Sequence, residues 1–280
     1  MTSENREFKF TRKDFDFLRT VSNARTGIVV SDDKFDMFYA RLSRRVRKLG
    51  LKDFSEYCKY IKDDKGDDEV LELVNAVTTN LTAFFRENHH FEFLRDTVIP
   101  KLLKENKDER KIRIWSAGCS TGEEPYSLAV TLKENLPPGL PWDTQILATD
   151  IDSNVLAKAS KGVYAEDRVK DIPTKILRSW FMKGKGENAG SVRVKPEARS
   201  LINFGQLNLM EDWSVGDIKD VIFCRNVVIY FDRESKTRLI NRYADNLKDG
   251  GYLFIGHSES LYKISDRFEL IGNTIYQKIR

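Results

Sequence analysis

The chain has 280 residues, of which 40% are apolar, 32% charged and 11% aromatic, and its formal net charge is only +4. This suits a globular protein with one large domain and a smaller companion, and it excludes a disordered chain or one drawn to nucleic acid by bulk charge. No stretch approaches the roughly 18 apolar residues of a membrane span, and the polar start has no signal-peptide core, so a cytoplasmic protein is expected.

Residues 15–95 read as helical throughout, without strand alternation, so a helical N-terminal domain is expected over residues 1–95. Its clearest helix should follow Ser31 as N-cap, with Asp32 and Asp33 at the positive end of the dipole, and stop at Gly50. Phe35, Phe38, Tyr39, Leu42, Val46 and Leu49 form one stripe, which turns Arg41, Arg44 and Lys48 to the opposite face and Arg45 and Arg47 to its flanks. That basic face is either a docking surface or simply solvated. Val70, Leu71, Leu73, Val74 and Val77 supply a second stripe before Asn80.

A linker is expected over residues 96–111, whose end is charged and poor in apolar residues. The pattern then changes over residues 112–280. Residues 111–116 read as a strand, 118–122 as a turn and 123–136 as a helix closed by Pro137 and Pro138. Residues 145–149 form a strand ending at Asp150, residues 152–161 a helix and residues 220–224 a later strand. This alternation implies an α/β fold with a mainly parallel sheet covered on both faces. Residues 178–205 break it: strand-like runs at 180–183, 191–194 and 201–204, separated by a turn-rich segment and Pro196, suggest a small antiparallel insertion. Runs at 252–256, 268–271 and 275–279 read as a strand and closing hairpin.

Cys58, Cys119 and Cys224 are widely spaced and odd in number, which fits reduced thiols rather than a disulfide framework. His89, His90 and His257 lack metal-ligand spacing, since adjacent histidines point different ways on a helix, and no metal is expected.

A ligand of a parallel sheet lies beyond the strands' carboxyl ends. Four segments compete for that place. The turn of residues 118–122 admits close backbone approach at Gly118, or serves packing alone; with two glycines it is a poor match to a dinucleotide fingerprint. Asp150 can accept from ribose hydroxyls or cap the next helix, although Asp152 suits the cap better. Arg225, ending a buried strand, needs a structural carboxylate or a substrate anion as partner, and Tyr230 reads equally as core or site. Asn80, Thr82 and Arg86 interrupt the helical domain, either as solvated surface or as part of a site.

Five runs, N-L-T-x-F-F-R-E from Asn80, W-S-A-G-C-S-T-G-E-E-P-Y-S from Trp115, A-T-D-I-D from Ala148, F-C-R-N-V-x-I-Y-F from Phe223 and G-H-S-E-S-L from Gly256, resemble in order and spacing the CheR family of chemotaxis-receptor methyltransferases. The resemblance covers nearly the whole chain. It implies a class I S-adenosylmethionine-dependent methyltransferase with a Rossmann-like, seven-stranded sheet, a small antiparallel β insertion and a small all-α domain in front. It implies transfer of a methyl group to glutamate carboxylates of chemotaxis receptors, forming methyl esters and S-adenosylhomocysteine, for sensory adaptation.

Carried over by motif, the cofactor contacts fall on Asn80, Thr82, Arg86, Gly118, Glu124, Asp150, Asn208, Leu209, Arg225 and Asn226, with Arg86 and Tyr230 nearest the transferred methyl. Cys119 stands where some relatives carry alanine and is not expected to be catalytic. Arg41, Arg44, Arg45, Arg47 and Lys48 would dock the receptor helix, and the turn with Gly184 and Gly186 would hold a receptor tail peptide. A monomer recruited to receptor clusters at the inner membrane is implied, without membrane insertion or a nucleic-acid partner.

A glutamate carboxylate is ionised near neutral pH and needs no general base, which agrees with the lack of a Ser-His-Asp or Cys-His pattern. A methyltransferase for RNA or a small molecule is the competing enzyme, but the basic helix lacks the aromatic interleaving of base stacking. A degenerate binding domain is the competing non-enzyme, and the intact Asn80, Thr82, Arg86, Asp150 and Tyr230 weigh against it.

Overall fold

The computed structural model describes residues 6–63 and 67–280. The chain divides into two compact units: residues through Thr79 together with Tyr230–Ser235, and Asn80–Ile229 together with Lys236–Arg280.

The first unit carries α1 (Arg12–Thr26), α2 (Phe35–Lys48), α3 (Phe54–Lys62) and α4 (Asp67–Val77). Helix α1 opens on a capping box between Thr11 and Asp14 and closes at the left-handed Gly27, so both of its ends are satisfied locally. Phe15, Leu18, Phe38, Leu42, Val46, Phe54 and Leu73 form a core closed to solvent. The Ser31 cap does not form as expected. Asp32–Lys34 make a 3-10 turn, the Ser31 hydroxyl turns to the Asp33 carboxylate, and α2 starts at Phe35 without a side-chain cap. Tyr230–Ser235 join this unit through a bridge between Ile28 and Phe231, with the Val29 N–H donating to the Tyr230 carbonyl at 2.8 Å.

The helical pattern expected to residue 95 stops at Val77, and the division falls after Thr79. Residues 78–88 are not helical; Phe85 (φ 51°) and Glu87 (φ 55°) take left-handed backbone there, uncommon for residues with a side chain. Most of the expected linker is helix: α5 (His89–Phe93), a π-helical turn (Leu94–Val98) and α6 (Ile99–Glu105) run on without a break. Leu94, Val98, Ile99 and Leu102, at i, i+4, i+5 and i+8, share one helix face and join the core of the sheet unit, an amphipathic signal hidden among many charges.

The second unit holds β1 (Lys111–Ala117), α7 (Glu123–Asn135), β2 (Asp143–Asp150), α8 (Ser153–Lys161), β3 (Val163–Ala165), α9 (Thr174–Trp180), β4 (Phe181–Lys183), β5 (Ser191–Val194), α10 (Pro196–Arg199), β6 (Ile202–Gln206), β7 (Lys219–Cys224), α11 (Arg233–Asp245, whose first turn belongs to the other unit), β8 (Leu247–Ile255), β9 (Phe268–Gly272) and β10 (Ile275–Lys278). The main sheet has the order β6-β2-β1-β7-β8-β10-β9. All pairings from β6 to β8 are parallel, and β10 runs antiparallel to both its neighbours. Strand β1 is buried from Ile112 to Ala117, as a central parallel strand covered on both faces must be. The chain moves outward from β1 to β2 and β6 and then returns to β7 on the other side. The crevice where this order reverses, between β1 and β7, is where ligands of such sheets bind.

The small antiparallel sheet has the order β3-β5-β4. Two parts of the expected insertion differ. Trp180 ends α9 and only Phe181–Lys183 is strand; and the run at 201–204 is β6, paired parallel to β2 in the main sheet. Helix α10 turns the chain back toward β2, and β3, a three-residue strand after the left-handed Gly162, takes the vacant third place. Among the described residues no helix is long and apolar enough to cross a membrane.

Candidate functional site

Strand β1 runs into Gly118, which has φ +90° and where an added Cβ would lie 2.4 Å from Val227 Cγ2. Glycine is required twice over, for the backbone conformation and for the close passage of the segment after β7. The Gly118 and Cys119 N–H groups donate to the Thr149 carbonyl at 2.8 and 2.9 Å, which ties this turn to the end of β2. The Ser120 N–H donates to Asp150 Oδ2 at 2.8 Å and the Asp152 N–H to Asp150 Oδ1 at 3.0 Å. Burial raises the Asp150 pKa above the ordinary value against the pull of these backbone donors. Asp152, not Asp150, caps α8, accepting from the Asn154 N–H at 2.8 Å, so the capping alternative for Asp150 falls away. The Asn80 amide donates to Asp152 Oδ2 at 2.8 Å, and the Ser120 hydroxyl to the Asn80 carbonyl at 2.9 Å. Cys119 is 1% exposed, and burial pushes its thiol well up, so it is no thiolate nucleophile.

A second knot surrounds Arg225, whose side chain is 3% exposed. Its Nε donates to Glu124 Oε2 at 2.8 Å, while the Ser116 hydroxyl donates to Glu124 Oε1 at 2.7 Å. Its Nη1 donates to the Arg86 carbonyl and, at 3.1 Å, to His90 Nδ1, and lies 4.0 Å from the Glu87 carboxylate. Arg225 therefore has its structural carboxylate in Glu124, and its Nη2 has no acceptor among the described residues.

His90 Nε2 lies 3.0 Å from the Asn273 carbonyl. A guanidinium only donates, so Nδ1 is the acceptor and the ring proton sits on Nε2, facing that carbonyl. Burial and the Arg225 charge pull the His90 pKa down to about 4, so the ring is neutral near pH 7. Glu87 has Oε1 2.9 Å from His257 Nδ1, and its Oε2 is buried without a hydrogen-bond partner. Burial would raise this carboxyl, but the His257 hydrogen bond and the Arg225 charge outweigh it and hold it below the ordinary value. Contrary to the expectation of no metal spacing, Glu87, His89 and His90 bring ligand atoms within 4.8 Å of one another, because the left-handed Glu87 folds back on the start of α5. Arg225 supplies a fixed positive charge to this cluster.

Asn226 takes left-handed backbone (φ 58°), and its N–H donates to Glu259 Oε2 at 2.9 Å. The Gly256 N–H donates to the same oxygen and the Ile229 N–H to Oε1 at 3.0 Å, so one buried carboxylate holds the whole bend after β7. Burial raises the Glu259 pKa despite these backbone donors.

The remaining expected residues are placed as follows. Arg86 donates from Nη1 to the Leu81 carbonyl at 2.8 Å, closing its own loop, and the Thr82 carbonyl accepts from Arg168 at 2.7 Å. The Leu207 N–H donates to the Asp150 carbonyl at 3.0 Å, which sets Asn208 and the buried Leu209 beside the end of β2; Asn208 Oδ1 accepts from the Met210 N–H. Tyr230 belongs to the helical unit. Hydrogen bonds thus join Asn80 and Asp150 through Ser120 and Asp152, and join Arg86, Glu124 and Arg225. Ser116, Ser120 and Glu259 lie inside the matched runs but carry no individual signal in the sequence, and His90 lies just outside those runs.

The basic face of α2 is smaller than its spacing suggested. Arg41 donates to the Val77 and Thr78 carbonyls at 2.9 and 2.6 Å, meeting the carbonyl end of α4. Arg45 forks onto the buried Glu69 and reaches Glu72 at 3.1 Å, and Arg47 pairs with Glu7. The exposed Arg44 and Lys48 form no ion pair among the described residues. In the small sheet, Gly184 is set by packing, since a Cβ there would lie 1.9 Å from the Asn188 carbonyl oxygen, whereas Gly186 (φ +58°) faces open space.

A switched parallel sheet with one antiparallel strand, a glycine turn after β1 and a buried acid ending β2 defines the class I methyltransferase architecture. Residues 80–277 match the family described as CheR methyltransferase, SAM binding domain, and residues 13–78 its all-alpha domain. The chain belongs to the CheR methyltransferase family and is an S-adenosylmethionine-dependent methyltransferase. It is 45% identical to chemotaxis protein methyltransferase 2 of Pseudomonas aeruginosa over 97% of this chain and 95% of that protein. It is 42% identical to the chemotaxis protein methyltransferase of Escherichia coli over 90% of this chain and 86% of that one. With the counterpart from Borreliella burgdorferi it shares 39% identity over 90% of this chain and 89% of the relative.

Proposed function

We propose that the chain methylates glutamate side chains of chemotaxis receptors, producing glutamate methyl esters and S-adenosylhomocysteine. The carrying observation is the pair of hydrogen-bonded knots around Asp150 and Arg225 at the switch point, inside the stretch that matches the cofactor-binding family. The side chains suit the cofactor's chemistry. Asp150 has buried acceptor oxygens of the kind that take ribose hydroxyls, and Arg225 Nη2 is an unused donor for a carboxylate. When bound, S-adenosylmethionine supplies an electrophilic methyl on a sulfonium.

The residues of the chain bind, orient and exclude water. Asn80, Thr82, Asn208, Leu209 and Asn226 frame the pocket, Glu124 fixes Arg225, and Arg86 lines the side of the methyl. An ionised glutamate attacks without losing a proton, so rate comes from alignment and from stripping water off the nucleophile. The helical unit docks an acidic receptor helix through Arg44 and Lys48, with the charges of Arg41, Arg45 and Arg47 already engaged inside the unit. The open edge of β4, beside the turn of Gly184 and Gly186, takes a receptor tail as an added strand, and recruitment to receptor clusters follows. The enzyme acts as a monomer.

Incubation with methyl-labelled cofactor and receptor-containing membranes tests the reading. Label should enter receptor protein, map to glutamate and leave as methanol in mild alkali. Label on RNA, or alkali-stable label on protein, would overturn it.

A further inference from the structure

We propose that His90 is a positioning residue for cofactor binding, its unprotonated Nδ1 fixing Arg225 so that Nη2 faces the ligand. The proposal rests on the reading of Arg225 as a cofactor contact and assigns a role to a residue outside the motif runs.

Three of the four groups that hold Arg225 come from one short stretch, residues 86–90. Glu124 takes Nε, the Arg86 carbonyl and His90 Nδ1 take Nη1, and Glu87 stands 4.0 Å away. Two acceptors on one Nη nitrogen settle which edge of the planar guanidinium faces inward, and therefore which edge is left over. The imidazole is itself fixed on its far side, with Nε2 3.0 Å from the Asn273 carbonyl and 3.2 Å from Thr274 Oγ1 on the turn between β9 and β10. Its ring stands edge-on to Phe254 at 5.4 Å, so it cannot swing without disturbing the core. The end of the sheet, through β9 and β10, is in this way coupled to the guanidinium at the switch point. A metal ion on Glu87, His89 and His90 is the rival use of the same atoms. Arg225 argues against it, because Nη1 already donates to His90 Nδ1 and carries the positive charge that Glu87 needs.

The experiment is calorimetric binding of S-adenosylhomocysteine to the full-length chain and its variants, each first checked for a cooperative thermal transition. In His90→Asn the amide oxygen can occupy the place of Nδ1, whereas His90→Gln puts its amide near Nε2 and leaves Nδ1 empty. His90→Leu removes both. Losing an acceptor from a buried guanidinium should weaken binding in His90→Gln and His90→Leu by roughly tenfold or more. His90→Asn should stay within a few-fold of the parent, a rescue that loss of packing alone would not give. If Gln and Asn bind equally, the proposal fails, and that comparison stands even if His90→Leu does not fold. Arg225→Gln separates the two levels: unchanged affinity there would remove the cofactor role of Arg225 itself, whereas weakened affinity with no difference between Gln and Asn at position 90 would remove only the role of His90.

Discussion

Burial opposes ionisation of Asp150, and the sign of its pH effect follows from that. Its folded-state pKa is raised, so ionisation opposes the ligand-free fold: any stabilising contribution is present below the unfolded pKa and lost as pH rises through the folded one. Hydrogen bonds from ribose hydroxyls favour the ionised form. Affinity for S-adenosylhomocysteine should therefore be full near neutral pH and fall as pH drops through a value above the ordinary aspartate range. Calorimetry across pH should show this limb in the parent and not in Asp150→Asn. Glu259 acts on the backbone instead, because its two oxygens accept N–H groups from Gly256, Asn226 and Ile229. In Glu259→Gln one acceptor becomes a donor that faces an N–H. A loss of about 1–3 kcal/mol in urea unfolding is expected, with cofactor affinity falling as the Arg225–Asn226 bend relaxes.

Helix α2 shows how one basic stripe divides between stability and docking. Arg45 pairs with Glu69, a carboxylate that also takes the Tyr57 hydroxyl at 2.8 Å. Arg45→Ala strands that buried acid and should cost about 3 kcal/mol. Reversing the exposed Arg44 and Lys48 to Glu should leave urea stability within about 0.5 kcal/mol. The same double change should raise the apparent KM for receptor steeply, less so at high salt, with cofactor affinity unchanged. Steady-state kinetics beside urea titrations separate the two groups, and a stability loss in the Arg44 and Lys48 variant would contradict the division. Periodicity placed all five cations on a face or its flanks, but gave no sign that α4 and the segment before α1 supply their partners.

At the scale of the molecule, the helical unit is not one stretch of chain, since Tyr230–Ser235 belong to it. A fragment ending at Thr79 lacks the carbonyl to which the Val29 N–H donates. That amide should exchange measurably faster in the fragment than in the full chain, and equal protection would argue that the pairing contributes nothing. The alternation of strand and helix, the turn at Gly118, the acid at Asp150 and the family motifs were all legible in the chain, because each is a local pattern: a burial period, a conformation only glycine takes readily, a charge at a strand end. The helical run hidden in the expected linker was missed because charges outnumber its apolar stripe. The place of β6 was missed because a short strand's pattern does not name its partner.

The sequence by itself determined the elements and the chemistry available at their ends. Only the tertiary structure decided that Arg225 meets Glu124, 101 residues earlier, that His90 stands behind it, and that three of the five basic residues of α2 are already engaged. Periodicity reports which face of an element is buried, whereas the partner of a buried charge is set by strand order and crossover, which bring distant residues to one edge of the sheet.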